Sequence, residues 1–122
     1  MKFTESHEWI LVDKDNVGTI GITNHAQNEL GDIVYVELPE IGKRVKAGQE
    51  AVVLESTKAA ADIYSPVSGK IIAVNENLST EPNQVNRSPQ EDGWLYKIEL
   101  SHPQELETLL DEISYKGMLT LH

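Results

Sequence analysis

The chain has 122 residues, no cysteine and a formal net charge of −10, from 20 acidic and 10 basic side chains. Its length suits one compact domain, and 39% hydrophobic with 25% charged residues is an ordinary globular composition. The lack of cysteine excludes disulfides, thiolate metal sites and cysteine nucleophiles. Because the chain is strongly acidic and its sequence has no clustered basic stripe, we expect it to be repelled by nucleic acid and anionic membranes.

Short β-branched runs separated by turn residues recur along most of the chain. Such runs predict strands, and a spacing of about 8–12 residues is typical of an all-β sandwich or barrel. The chain is therefore expected to be mainly β, as a flattened barrel or a sandwich of two antiparallel sheets. In chain order, strands are predicted at residues 3–12, 17–22, 32–38, 51–54, 63–67, 71–74 and 93–100.

Two helices interrupt this pattern. Residues 23–31 predict a short internal helix, with Asn24 as its N-terminal cap and Gly31 at its end. A C-terminal helix is predicted at about residues 102–115, with Ser101 as its cap. The apolar stripe expected to pack this second helix on a sheet consists of Leu106, Leu109, Leu110 and Ile113.

The segments between these elements are polar or rich in glycine. Residues 41–49 are basic and predict tight turns around a short strand. Residues 75–91 predict an ordered surface loop with a role of its own, or a loop that carries short turns. Gly18 and Gly21 lie inside a predicted strand, where glycine usually marks a close approach of the backbone to a neighbour.

The organisation of the whole chain is expected to be simple. One domain is predicted over residues 1–122, with a core at about 3–110 and a frayed tail at 116–122. No apolar run approaches the roughly 20 residues that cross a bilayer, and residues 1–5 resemble neither a signal peptide nor a transit peptide. We therefore expect a cytoplasmic monomer whose partners are neutral or basic protein surfaces.

No motif in the residues themselves indicates catalysis or a metal site. A G-x-S-x-G nucleophile is absent, and paired carboxylates are uninformative in so acidic a chain. A zinc site is not expected either, because the four histidines are scattered without an HExxH motif; they are His7, His25, His102 and His122.

One lysine is singled out by its surroundings. Lys58 lies at a bend between the apolar runs at 51–54 and 63–67, and its small neighbours Thr57 and Ala59 leave the amine accessible. The local pattern is compatible with a hairpin and with a helical turn through the alanines that follow. A single surface lysine is by itself most often a solubilising charge. From the residues alone, the chain is an acidic β domain with an exposed lysine on a turn.

Several segments together resemble one family, the glycine cleavage system H protein. They follow one another in the family's order and at compatible spacing, and the resemblance extends from about residue 3 to about residue 110. The segments that carry it are Ser-His-Glu-Trp at 6–9, residues 21–34, Val-Glu-Leu-Pro at 36–39, the lysine segment at 55–69, and residues 92–98.

The resemblance implies a lipoyl-domain-like β fold with Lys58 at the tip of a hairpin and lipoate in amide linkage to its side chain. Lipoate would provide the two sulfur atoms that the cysteine-free chain lacks. The chain departs from the family's pattern at Thr57, where a larger apolar residue such as valine is usual, and in a looser loop at 79–86.

The resemblance also implies a non-catalytic carrier that works in glycine catabolism and one-carbon metabolism with several enzymes. A pyridoxal-phosphate glycine decarboxylase would load an aminomethyl group, and a tetrahydrofolate-dependent aminomethyltransferase would remove it and release ammonia. An FAD-containing dihydrolipoyl dehydrogenase would restore the disulfide. A lipoate ligase or a lipoyl/octanoyltransferase would attach the group to Lys58.

Proteins of this family place the loaded arm in a groove on their own surface. The residues that match this role here are Ser6 and Glu8 in the N-terminal motif and Asp62 after the lysine, which are expected to hold the cationic amine. The alternative is that these three are ordinary surface polar groups.

Other carrier functions are the competing hypotheses. A lipoyl domain serving a 2-oxoacid dehydrogenase would need an Ala/Pro-rich linker and a further domain, and a biotin carrier usually has methionines where Thr57 and Ala59 stand. A lipoyl donor or relay protein and an unmodified binding module are the remaining alternatives.

Overall fold

A computed structural model describes residues 1–120 of the chain. Within that range the strands are β1 (Lys2–Phe3), β2 (Glu8–Val12), β3 (Val17–Ile22), β4 (Ile33–Glu37), β5 (Arg44–Val45), β6 (Glu50–Ser56), β7 (Ala60–Tyr64), β8 (Gly69–Val74) and β9 (Tyr96–Leu100). The helices are α1 (Asn24–Leu30), α2 (Gln84–Arg87) and α3 (Glu112–Thr120), with 3₁₀ helices at Glu76–Ser79 and Pro103–Thr108.

The strands form two antiparallel sheets. The larger sheet has the order β1-β2-β3-β9-β8-β5 and the smaller sheet has the order β4-β6-β7. Each pair of neighbouring strands is antiparallel. The predicted mainly β fold is therefore confirmed, in the form of a sandwich. It is not a flattened barrel, because neither sheet closes on itself.

The main core lies between the two sheets. Ile20 and Ile98 from the larger sheet and Leu54 from the smaller sheet are each fully buried, and they belong to one continuous apolar cluster. A second, smaller cluster lies under α3 and consists of Phe3, Trp9 and Tyr115, with four partly buried neighbours. Burial of apolar side chains between sheets is the main force that holds such a sandwich together.

Glycine is required where β3 crosses Trp9. A Cβ atom added to Gly21 would lie 2.7 Å from the indole ring, and a Cβ on Gly18 would lie 2.7 Å from the side chain of Ile10. The expected close approach of the backbone at these two glycines is therefore confirmed. The indole N–H of Trp9 donates to the carbonyl of Pro89 at 2.9 Å, so this aromatic also ties the 75–91 segment to the larger sheet.

The predicted internal helix is present, but its cap differs by one residue. Thr23 is the N-cap, and its Oγ1 accepts the backbone N–H of Ala26 at 3.2 Å, whereas Asn24 is already the first helical residue. Gly31 ends the helix as predicted, with φ of 83° and its N–H bonded to the carbonyl of Gln27. A residue with this backbone conformation is strongly favoured to be glycine.

The predicted C-terminal helix at 102–115 is wrong as a single element. The chain forms a 3₁₀ helix at Pro103–Thr108, and then Leu110 pairs with Phe3 through two backbone hydrogen bonds of 2.8 Å. Because Leu110 is extended in this pairing, α3 begins only at Glu112. Asp111 precedes it, accepts the N–H of Ser114 at 2.7 Å, and has its pKa lowered by that bond.

The predicted cap and apolar stripe of that helix are corrected as well. The residue before the 3₁₀ helix is His102 rather than Ser101, and it makes no side-chain capping bond. Leu106 and Leu109 pack on the main core, but Leu110 packs with the smaller cluster and Ile113 is 84% exposed. Residues 116–120 of the predicted tail belong to α3, and residues 121 and 122 lie outside the described part.

The polar 75–91 segment carries short turns of its own, as one of the two expectations had it. It contains a 3₁₀ helix and α2, and it is anchored by the fully buried Leu78 and Val85. Among the helices of residues 1–120, none has both the length and the apolar character needed to span a bilayer.

Candidate functional site

Lys58 lies in the connection between β6 and β7. The strands pair up to Glu55 and Ala60, and Ser56 closes the turn because its Oγ accepts the backbone N–H groups of Lys58 and Ala59, both at 3.1 Å. The backbone N–H of Ser56 also donates to the carbonyl of Ala59 at 2.9 Å. The hairpin alternative is therefore confirmed over the helical turn, and the lysine is exposed on a hydrogen-bonded turn.

The turn is attached to the end of α1. The N–H of Thr57 donates to the carbonyl of Asp32 at 3.0 Å, which holds the hairpin tip beside the start of β4. The side chain of Lys58 passes over Gly31: a Cβ atom at Gly31 would lie 3.2 Å from Lys58 Cε and 3.6 Å from Nζ. The aliphatic part of the lysine therefore lies close against the backbone of Gly31.

Asn86 holds this corner together, and it comes from the long polar segment. Its Nδ2 donates to the carbonyl of Gly31 at 2.8 Å and to Gln27 Oε1 at 3.0 Å, and its Oδ1 accepts the N–H of Ile33 at 2.8 Å. One amide thus links the last turn of α1 to the first residue of β4. The sequence did not single out Asn86, because its three partners lie more than fifty residues away along the chain.

A groove with a cavity of about 190 Å³ lies between α1, the N-terminal motif and β7. The three residues proposed from the sequence, Ser6, Glu8 and Asp62, all line it. Lys58 does not line the groove; it lies beside Gly31, directly after the lining residue Leu30. The structure therefore brings the three predicted side chains to one cavity and places the lysine at its edge.

Glu8 is the most enclosed acidic group of the groove. It is only 2% exposed, and its Oε1 accepts hydrogen bonds from Thr4 Oγ1 at 2.6 Å and Ser6 Oγ at 2.7 Å. Burial raises the pKa of Glu8, against the lowering effect of these hydroxyls and of the backbone N–H of Tyr64. A carboxylate buried in this way interacts strongly with any cation that enters the groove.

The other walls of the groove combine apolar surface with two more carboxylates. Ala26, Leu30 and Ile63 supply apolar surface, whereas Asp62 and Glu29 are exposed at the rim. Glu29 is paired with His25 on the next turn of α1, at 2.9 Å. The sequence did not connect Ala26 and Leu30 with Glu8, because only the folded chain brings α1 to β7.

The backbone at His7 directs Ser6 and Glu8 toward the groove. His7 adopts a φ of 75°, which is uncommon outside glycine, and its ring turns toward α3. There its Nδ1 is 2.8 Å from the hydroxyl of Tyr115, which is also 2.7 Å from Thr23 Oγ1, the cap of α1. One tyrosine of α3 therefore contacts both the N-terminal motif and the start of α1.

Comparisons with known proteins agree with this arrangement along the full chain. The family model described as glycine cleavage H-protein matches residues 1–122. The glycine cleavage system H protein of Thermotoga maritima is 56% identical over 115 residues, which cover 94% of this chain and 92% of that one. The H protein of an Escherichia coli strain is 50% identical over 119 residues, covering 98% and 92%.

A solved structure gives the same result for the fold. The crystal structure of a glycine cleavage system H protein from Mycobacterium marinum is 35% identical, has a TM-score of 0.88, and covers 98% of this chain and 95% of its own. A full-length family match, relatives with half or more of their residues identical and a solved structure of the same fold lead to one assignment: this chain is a member of the glycine cleavage H-protein family.

Proposed function

We propose that this protein carries lipoate on Lys58 and serves the glycine cleavage system as its non-catalytic carrier. The single observation that supports this most is the position of Lys58: an exposed amine on a rigid turn, beside Gly31, at the edge of a groove lined by carboxylates. When bound there, lipoate supplies a disulfide that accepts an aminomethyl group and a dithiol that is reoxidised afterwards. A lipoyl domain serving a 2-oxoacid dehydrogenase is not favoured, because the relatives are H proteins over their whole length.

The residues around Lys58 fit an acylated lysine. The turn leaves the amine in solvent, where a lipoylating enzyme can reach it, and the hydrogen bonds of Ser56 fix the backbone that presents it. Amide formation removes one positive charge, so the formal net charge of −10 becomes −11. The side chain at this position is then an uncharged tether that starts next to the groove.

The groove is suited to hold a cationic amine at the end of that tether. Glu8 provides a buried negative charge oriented by two hydroxyls, and Asp62 provides a second carboxylate on the opposite strand. Leu30 and Ile63 supply the apolar surface between these carboxylates and would limit the contact of a bound arm with water. These residues would bind and shield the amine, so that the carrier releases its cargo only when a partner withdraws the arm.

The proposed partners follow from this role. They are a pyridoxal-phosphate glycine decarboxylase, a tetrahydrofolate-dependent aminomethyltransferase, an FAD-containing dihydrolipoyl dehydrogenase and a lipoylating enzyme. A tethered group searches locally for each active centre, so weak contacts are sufficient for each transfer. Thr57, in place of the usual larger residue, lies at the surface that the lipoylating enzyme must contact.

Intact-mass measurement of the protein from its native host tests the proposal. We expect one added lipoyl group, located by peptide analysis on the segment with Lys58, and none in a Lys58→Arg variant, which keeps the charge. Lys46 and Lys70 serve as internal controls because they are equally exposed and should stay unmodified. Protein that never acquires the group, or acquires it on another lysine, would contradict the assignment.

A further inference from the structure

A second cavity lies at the other end of the sandwich from Lys58. It has a volume of about 630 Å³ and is open to solvent between β5 and the start of the 3₁₀ helix at Pro103–Thr108. Arg44, Lys46 and His102 line it, together with the backbone of Gly69 and the buried side chain of Val45. Neither the lysine turn nor the carboxylate groove shares any of these residues.

Four of the chain's ten lysines and arginines are gathered beside this cavity. Lys43, Arg44 and Lys46 are close in sequence, and the pairing of β5 with β8 adds Lys70 directly opposite Arg44. We call these four residues the basic edge; all four are exposed. Like charges opposite one another on neighbouring strands destabilise a sheet, so the fold tolerates a local cost at this position.

The basic edge forms no ion pair with the acidic groups of residues 1–120. Within residues 1–120 the ion pairs join His25 to Glu29, Arg87 to Glu81, and Lys116 to Glu112, and none involves the basic edge. This is unexpected in a chain with 20 acidic side chains, because partners for surface cations are abundant.

The two acidic residues nearest the cavity form no ion pair with the basic edge. Glu105 lines the cavity, but both of its carboxylate oxygens are engaged by Ser68, which donates from its N–H at 2.8 Å and from its Oγ at 2.9 Å. Glu99 faces Lys70 in the strand register and still forms no ion pair with it within 4.0 Å. The cations of the basic edge therefore remain available to an external partner.

Exposed apolar side chains lie next to these cations. Ile41 is 61% exposed and precedes Lys43, and Ile72 is 37% exposed and follows Lys70 on β8. The N–H of Gly42 donates to the carbonyl of Ile71 at 2.7 Å, which brings the two isoleucines to the same edge. Apolar side chains surrounded by unpaired charges are typical of a surface that contacts another protein.

The cavity is far from the lipoyl-bearing turn. Gln49 lines it and precedes β6, whereas Lys58 follows the other end of that strand. A strand of seven residues spans about 23 Å, so a protein bound at the basic edge would leave the hairpin tip free.

We propose that the basic edge and its cavity are a docking surface for an acidic patch on one of the partner enzymes, separate from the lysine turn. The inference rests on the proposed carrier function and adds a second point of contact to it. Charge complementarity argues for an acidic protein surface at this edge, in contrast to the neutral or basic partners expected from the net charge of −10. The apolar neighbours argue for apolar side chains at the centre of that surface. Docking at this end would hold the carrier near a partner while the arm moves, which raises the local concentration of the tethered group.

The test compares two double variants with equal charge. Arg44→Gln/Lys46→Gln changes the basic edge, and Lys2→Gln/Lys14→Gln removes two exposed cations elsewhere; each lowers the formal charge of −10 by two. Each lipoylated protein is then used as substrate for the decarboxylase, the aminomethyltransferase and the dihydrolipoyl dehydrogenase. We expect the first variant to raise KM about fivefold with one enzyme, or about 1 kcal/mol, with kcat unchanged.

Added salt should remove the difference, because rim charges act through screened electrostatics. An unchanged KM with all three enzymes, or an equal rise in the control variant, would overturn the docking surface while leaving the carrier function intact. Concentration-dependent self-association of the wild type that the first variant abolishes would also overturn it, in favour of contact with a second copy. A wild type that is lipoylated but turned over by none of the enzymes would contradict the carrier function and this inference together.

Discussion

At the scale of single residues, Glu8 has the clearest conflict between stability and function. Its carboxylate is buried, and burial raises its pKa. When the pKa of a group is higher in the folded state than in the unfolded state, its protonated form stabilises the fold. That contribution to the free energy of unfolding is lost as the pH rises through the folded pKa. Above the folded pKa of Glu8 the protein therefore maintains a buried charge that costs stability and that a cationic ligand would offset.

Glu8→Gln should accordingly stabilise the protein with an empty groove and weaken the binding of a cationic amine in the groove. The amide keeps an acceptor for Thr4 and Ser6 but has no charge, so we expect Tm at pH values above the folded pKa of Glu8 to rise by a few degrees. The difference from wild type should shrink as the pH falls through the folded pKa of Glu8 toward 4.5 and below, where the wild-type carboxyl is also protonated.

The same substitution should shorten the lifetime of the loaded arm. A charge-assisted hydrogen bond is worth roughly 1.5–3 kcal/mol, so loss of ammonia and formaldehyde from the isolated loaded protein should accelerate at least about tenfold. Glu5→Gln is the matched control, since Glu5 is exposed and does not line the groove. A wild-type decay rate in Glu8→Gln would refute the proposed role of this carboxylate.

Asp62 should contribute less than Glu8, because it is exposed. Solvent screens an exposed pair to at most about 1 kcal/mol, so Asp62→Ala should speed the same decay by up to about fivefold. Glu55→Ala is a suitable control on the neighbouring strand, outside the groove lining. If Asp62→Ala and Glu55→Ala decay alike, Asp62 is an ordinary surface acid and the alternative considered from the sequence is correct.

At the scale of elements, α3 supports the groove although it does not line it. Tyr115 stacks on Phe3 with ring centroids 4.7 Å apart, and its hydroxyl bonds both His7 and Thr23. Burial raises the pKa of Tyr115, so the hydroxyl stays protonated and can donate to one neighbour and accept from the other. The helix thereby sets the position of the N-terminal motif relative to α1.

Tyr115→Phe should loosen the contact between the N-terminal motif and α1, while the ring at position 115 still stacks on Phe3. We expect a loss of about 1 kcal/mol in the free energy of unfolding, from the hydrogen bonds removed, and faster decay of the loaded arm. Tyr35→Phe, at an exposed site on β4, is the control for both measurements. A drop in stability with an unchanged decay rate would show that α3 has no influence on the groove.

The elements also show where sequence patterns succeed and where they fail. Strands such as β4 and β8 could be predicted because short β-branched runs bounded by turn residues are a local signal. The C-terminal helix could not, because its interruption depends on Leu110 pairing with Phe3 at the opposite end of the chain. The cap of α1 was misplaced by one residue because Thr23 and Asn24 are both good caps, and only the backbone conformation distinguishes them.

The candidate site was predictable only in part, for the same reason. Ser6, Glu8 and Asp62 were proposed from resemblance to a family, and the structure does place them on one cavity. Thr4 and Asn86 were missed, since nothing local marks a threonine four residues before an acid or an asparagine in a polar loop. Their importance comes from partners that the fold supplies, namely the carboxylate of Glu8 and the corner at Gly31.

At the scale of the whole molecule, the two apolar clusters predict unequal local stability. Ile20, Leu54 and Ile98 are completely enclosed between the sheets, whereas the cluster under α3 includes several partly exposed side chains. Local opening is easiest where few buried contacts must be broken. Hydrogen exchange should therefore be slowest at the backbone N–H groups of β3, β6 and β9.

The N–H groups of α3 should exchange faster than those strands. Amide exchange followed by NMR on the lipoylated and unmodified proteins would check this order, and the central strands should exchange alike in both forms. Equal protection of α3 and the central strands would mean that the smaller cluster is as stable as the main core. The expected difference in local stability between the two clusters would then be wrong.

Because Lys58 lies close to Gly31, acylation of its amine would also change where the side chain prefers to lie. Before modification, the ammonium lies near the carboxyl end of α1, where the helix dipole attracts a positive charge. Conversion to an amide abolishes that attraction, so the side chain is no longer drawn to the helix end. At an exposed side chain this attraction is worth roughly 0.3–1 kcal/mol, so it biases the unmodified lysine toward the helix end, and acylation would remove that bias.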